Sequence, residues 1–194
     1  MSEITIAEAA PGRFADAEHA LTGGGDGASC MCQWMTLSNA DWNSTSTDER
    51  RELFRSEVDA GPPPGLIAYV GGEAAGWVRV GPRTAQARVA RMRIIKGSEE
   101  PLDDDSVWAV TCFVVRREHR RQGLNSALLD AAVDFARRNG ARVIEGYPFD
   151  LAAKKSSANS LFHGTLSTFL AAGFHEVSRT SPHQPIVALS LAGT

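Results

Sequence analysis

The stretch Val107–Gly140, VWAVTCFVVRREHRRQGLNSALLDAAVDFARRNG, decides how the rest of the chain is read. Its opening residues, Val107 to Val115, are nearly all apolar and rich in β-branched and aromatic types, the composition of a strand covered on both faces. Further on, Leu128, Ala131, Ala132 and Phe135 recur at helical spacing up to Gly140, a natural residue to end a helix. Between strand and helix lies the basic segment Arg120-Arg121-Gln122-Gly123-Leu124-Asn125. A helix N-terminus presents unpaired N–H groups and the positive end of the macrodipole, and Gly123 lets the backbone close on a ligand. Such a loop suits a diphosphate.

The surroundings extend this reading. A second apolar run, Val143 to Pro148, follows Gly140, and a later helical stretch ends in Ala172-Gly173-Phe174. Strand, Arg/Gln-x-x-Gly-x-Gly/Ala loop, helix, strand and terminal Gly-Phe pair together resemble the GNAT superfamily of acyl-CoA-dependent N-acyltransferases, with specific motifs confined to Val107–Phe174. The resemblance implies an α/β (α+β mixed) fold with a central mixed, mostly antiparallel sheet and helices on both faces. It also implies acetyl-CoA as co-substrate. Phe113, Val114 and Val115 correspond to the segment that pairs its backbone with the pantetheine arm. Arg120, Arg121, Gln122, Gly123, Leu124, Asn125 and Ser126 correspond to the pyrophosphate loop. Asn125 replaces the family's usual Gly or Ala, and its side chain can cap the helix or bond to a phosphate oxygen.

The remaining elements follow the order β-α-α-β-β-β-α-β-α-β-β, which matches the same fold. Ile4–Ala7 reads as a first strand and Phe14–Leu21 as a helix, followed by a Gly-rich mobile loop at Gly23–Gly27. Ser46-Thr47-Asp48-Glu49 has the spacing of a capping box and predicts a second helix to about Asp59. Leu66–Val70 and Gly76–Val80 flank a Gly-Gly turn and read as a hairpin; Phe174–Arg179 and Ile186–Leu191 read as a final strand pair.

Composition sets the outer bounds. With 194 residues, 43% of them hydrophobic, the chain can bury one sizeable core, and no linker divides residues 1–194 into separate domains. A net charge of −3 gives no general attraction to nucleic acid. No apolar run reaches the length of a bilayer span, and the N-terminus lacks the pattern of a secretory signal, so a cytoplasmic protein with no membrane partner is expected. Three cysteines make an odd count, so reduced thiols are expected. Cys30-x-Cys32 would give only two metal ligands with no matching His or Cys pair nearby, hence no metal. Self-association as a homodimer is left open.

The resemblance implies an N-acetyltransferase acting on the primary amine of a small molecule, and it marks what is missing. Many family members carry a Tyr four residues before the Gly of the Gly-Phe pair to protonate the leaving thiolate; here that position is Phe169, and the frequent Asn seven residues earlier is Phe162. Glu145 is the leading candidate base, because a carboxylate among Val143, Ile144 and Tyr147 needs a reason, although a buried ion pair would supply one as well. His163 is second, its ordinary pKa suiting proton relay. Tyr147 shares a strand face with Glu145 and either acts as acid or lines the slot. Cys30 and Trp34, in the segment between the first helices, read as lining the acceptor pocket, with ordinary packing as the rival account. The acidic run Glu99–Asp105 could draw in a cation or simply be a solvated loop. A CoA-binding regulatory module that has lost catalysis is the alternative function.

Overall fold

The computed structural model describes residues 3–154 and 158–191. Its strands are β1 (Ile4–Glu8), β2 (Gly65–Val70), β3 (Glu73–Pro82), β4 (Val107–Val115), β5 (Val143–Gly146), β6 (His175–Ser181) and β7 (Gln184–Ser190). They form one sheet in the order β1-β2-β3-β4-β5-β7-β6. Every neighbouring pair is antiparallel except β4 with β5, which is parallel. The helices are α1 (Phe14–Thr22), α2 (Gly27–Cys30), α3 (Asn39–Ser44), α4 (Thr47–Ala60), α5 (Leu124–Arg138) and α6 (Leu166–Ala171). Among the described residues no helix is long and apolar enough to cross a membrane.

Alternation along the strands divides the core between the two faces of the sheet. On one face, Leu128, Leu129, Ala132 and Phe135 of α5 pack on Ala68, Val78 and Val110. On the other, Phe14 and Leu21 of α1 and Phe54 and Val58 of α4 pack on Ile67 and Trp77. Helices therefore cover both faces. The α4 cap is the one its sequence announces: the Glu49 N–H donates to Ser46 Oγ at 3.2 Å, and the Ser46 N–H donates to Glu49 Oε2 at 2.7 Å.

The feature that creates a site is a parting of strands. β4 pairs with β5 from Val107↔Val143 to Val110↔Gly146, after which β5 ends while β4 runs on to Val115. Beside this freed half of β4 packs the 3₁₀ segment Ala158–His163.

Two departures from the sequence reading stand out. The Gly23–Gly27 stretch, expected to be a mobile loop, is packed too closely at Gly23 and Gly27 to admit a side chain. A Cβ on Gly23 would lie 2.2 Å from Arg116 Cγ, and one on Gly27 would lie 2.2 Å from the Leu21 carbonyl oxygen. The short helices α2 and α3 and the 3₁₀ turns between Arg83 and Gly97 have too few residues to show a periodic pattern.

Leu128 is fully buried where α5 meets the sheet. Leu128→Ala is expected to lower unfolding free energy by about 2–5 kcal/mol, read from urea denaturation curves.

Candidate active site

The segment after β4 forms a pocket wall through its backbone. Gly123 caps α5 in the left-handed region at φ 82, and no side chain caps the helix, so the first-turn N–H groups are left without a capping partner. A Cβ placed on Gly123 would meet nothing within 4 Å. Arg121 also has positive φ, at 64. A cavity of about 720 Å³ opens against this loop, Phe113–Val115 and the Gly24–Gly27 segment. Asn125 reaches its wall, and its Oδ1 is buried without a hydrogen-bond partner among the described residues. Uncapped N–H groups and an open glycine beside Arg120 and Arg121 fit a diphosphate. The free edge of β4 fits an extended arm bearing amides.

A second cavity, of about 1020 Å³, lies against Phe149, His163, Gln184 and the basic residues Arg93 and Lys96. Asp26 and Phe162 border both cavities. The two spaces therefore share a wall at these residues.

The acetyltransferase (GNAT) family model matches residues 31–154. The chain belongs to this family. Solved structures agree on the fold. An N-acetyltransferase from Staphylococcus aureus Mu50 superposes with a TM-score of 0.57 at 14% identity, covering 98% of this chain and 99% of that one. The Salmonella typhimurium protein yncA, described with its cofactor acetyl-CoA, gives 0.56 at 18% identity over 98% and 95%. The ribosomal-protein-S18-alanine N-acetyltransferase of Escherichia coli gives 0.52 at 14% identity over 99% and 96%. A search of curated protein sequences finds no match.

Within this GNAT fold the cofactor residues expected from sequence gather at one cavity. Phe113, Val114, Val115, Arg120, Arg121, Gly123, Leu124, Asn125 and Ser126 border it; Gln122 sits in the same loop, exposed, with its side chain turned back to the Glu118 carbonyl at 3.4 Å. Cys30 and Trp34, expected to line an acceptor pocket, border this cavity and not the second one. Trp34 stacks under the Arg88 guanidinium at 3.7 Å and meets Trp42 edge-on at 4.8 Å.

Glu145 and Tyr147 require correction. Both are buried and border neither cavity. Glu145 Oε2 accepts from Arg83 Nη1 at 2.8 Å and from the Tyr147 hydroxyl at 2.9 Å, while Oε1 accepts from Ser98 Oγ. With its lone pairs engaged and a guanidinium against it, the carboxylate is a structural counter-charge closed off from both cavities. Burial and the Glu145 charge push the Tyr147 phenol well above its ordinary pKa, which makes it a weak acid. Phe169 is likewise withdrawn: its ring covers Gly146, where a Cβ would come within 2.2 Å of it, and meets Phe113 edge-on at 6.1 Å.

The sequence reading missed Asp26 and Cys112 as cavity residues. The odd count drew attention to the cysteines as a redox marker, and Asp26 was hidden inside a glycine run. His163, by contrast, borders the second cavity with a buried Nδ1 that has no hydrogen-bond partner among the described residues. Burial lowers its pKa to about 4, against a hydrogen bond with the Thr111 backbone that works the other way.

His163 supplies a stability test. Its folded pKa lies below the ordinary 6.5, so between pH 4 and 6.5 the unfolded chain binds a proton that the folded protein does not. Stability should be full above that window and fall as pH drops through it. In His163→Gln this component, worth up to about 3 kcal/mol, should disappear from urea titrations run across the same window.

Proposed function

We propose that this protein transfers an acetyl group from acetyl-CoA to the primary amine of a small molecule. The observation that carries the reading is that two cavities share Asp26 and Phe162 as a common wall near the strand edge left free by β5. One cavity has the phosphate loop; the other has mixed walls, with Arg93, Lys96, His163 and Gln184 among apolar residues, and room for a small acceptor. Among the described residues the exposed Asp26 carboxylate has no ion-pair partner, which favours a cationic group at the junction. An alkylammonium near pKa 10 must shed its proton before it attacks. Asp26 at the junction and His163, held neutral with an open Nδ1, are the groups within the second cavity's walls that can pass that proton on. Backbone N–H groups of Phe113–Val115 steady the developing oxyanion, as fixed donors do without reorganising. Family membership supports acyl transfer from acetyl-CoA in general; the amine and its small size are inferred from Asp26 and the cavity.

Titration calorimetry with acetyl-CoA should give saturable binding. Gly123→Val forces a β-branched side chain into a left-handed backbone, a cost of at least about 1–2 kcal/mol, so affinity should fall about ten-fold or more. A CoA-release screen across small amines should find turnover with an amide product confirmed by mass. Tight binding with no turnover across the screen would favour the CoA-binding module instead.

A further inference from the structure

Arg93 and Lys96 stand on the wall of the second cavity without a counter-charge beside them. Several arginines elsewhere close on carboxylates, as Arg51 does on Glu18, Arg142 on Asp104 and Arg179 on Asp150. Arg93 and Lys96 are exposed, and neither makes an ion pair or a side-chain hydrogen bond among the described residues. They lie three residues apart in the 3₁₀ turn Arg93–Gly97, where side chains at that spacing eclipse, so the two cations project together. The turn is anchored on its other sides. Ile94 and Ile95 are buried in a cluster with Tyr147 and Ile186, and a Cβ on Gly97 would lie 2.2 Å from Ser178 Oγ on β6. Adjacent like charges on a helical turn repel, and an anion bound between them removes the repulsion.

The other groups on this wall fit the same ligand. Thr180 and Ser181, from the end of β6, carry hydroxyls that donate to no group among the described residues and can donate to an acid. His163 adds no charge at neutral pH, since burial lowers its pKa to about 4. Asp26 is the one acid among the described lining residues, and it lies on the wall shared with the cofactor cavity. Arg93 and Lys96 border the second cavity alone, so they are not part of the diphosphate's surroundings. Negative charge is thus placed where an amine approaches the cofactor, and positive charge in the part of the cavity the cofactor does not share. Met92, Phe149 and Phe162 offer apolar surface to a short carbon chain.

We propose that the acceptor is an amino acid, a primary amine whose carboxylate is bound by Arg93 and Lys96; the inference rests on the N-acetyltransferase reading above and narrows it. A guanidinium presents paired N–H donors that match the two carboxylate oxygens, and the lysine ammonium adds a point charge. A diamine would set its second ammonium against two cations, and a simple alkylamine would leave both unpaired.

The test compares common L-α-amino acids and 4-aminobutanoate, each paired with the amine left when its carboxylate is removed, in a CoA-release assay with saturating acetyl-CoA. At least one amino acid should show kcat/KM about ten-fold or more above its paired amine, with 1,4-diaminobutane poorer still. Arg93→Gln combined with Lys96→Gln should bring that ratio toward one through KM for the amino acid. Arg93→Glu combined with Lys96→Glu should turn the preference toward the diamine. Both side chains are exposed, and urea midpoints check that the variants fold. Calorimetry of the CoA-loaded protein with the same pairs gives a readout that needs no turnover. Amines acetylated without regard to a carboxylate, or a preference that survives both double substitutions, would overturn the amino-acid assignment and leave the N-acetyltransferase standing. Amino-acid binding that the first double substitution abolishes, with no acetyl transfer to any amine, would uphold the carboxylate site and sink the amine reading. Absence of both binding and turnover for every amino acid would overturn the assignment outright.

Discussion

The site depends on two strands letting go of each other. β4 and β5 pair as far as Val110↔Gly146, and the next residue of β4, Thr111, is an extra one: β3 passes from Val80↔Val110 to Arg79↔Cys112, leaving Thr111 unmatched. A bulge of this kind bends its strand and re-aims the side chains that follow. Across the gap, Gly146 is pressed by the Phe169 ring, and β5 continues in register with β7 through Gly146↔Val187. The sheet thus separates into a half led by β4 and a half led by β5. Backbone groups on the exposed edge of β4 still need partners. His163 meets one at Thr111, and an amide-bearing arm can meet others along Phe113–Val115.

How much of this was legible in the sequence depended on the distance over which each signal acts. β4 was read to the residue and α5 to within its C-terminal turn, because an unbroken apolar run and a helical period are local signals. The phosphate loop was legible for the same reason: Gly123 and the flanking arginines are neighbours in the chain. Glu145 shows the opposite case. A carboxylate inside an apolar strand correctly demanded a partner, but that partner is Arg83, separated from it by 62 positions, and only the fold shows that the pair is closed to the cavities. The Cys32 environment was hidden in the same way. Arg79 stands among Trp77, Val78 and Val80 as a charge in an apolar strand, and its neighbours Glu57 and Cys32 come from elsewhere in the chain.

Two buried arginines, Arg79 on β3 and Arg83 in the 3₁₀ turn just after it, invite comparison, since a buried ion pair is weak evidence of stability for its own sake. Arg83 and Glu145 form a sealed cluster with Tyr147 and Ser98, and Arg83 also donates to the Glu100 carbonyl at 3.1 Å and to Ser98 Oγ at 2.9 Å. These bonds tie β5 to the segment just after the Arg93–Gly97 turn, which carries Arg93 and Lys96 to the wall of the second cavity. The sealed pair therefore acts on the site by holding that wall in place. Arg79 and Glu57 form a similar pair, but the next group in contact with the guanidinium is Cys32, which borders the first cavity. Here the positive charge is not wholly spent on its carboxylate. Guanidinium pairs of the same chemistry thus serve different ends, fixing a wall in one place and reaching the backbone of a cavity-lining residue in the other, and what separates them is whether the last atom in the chain of contacts reaches a cavity.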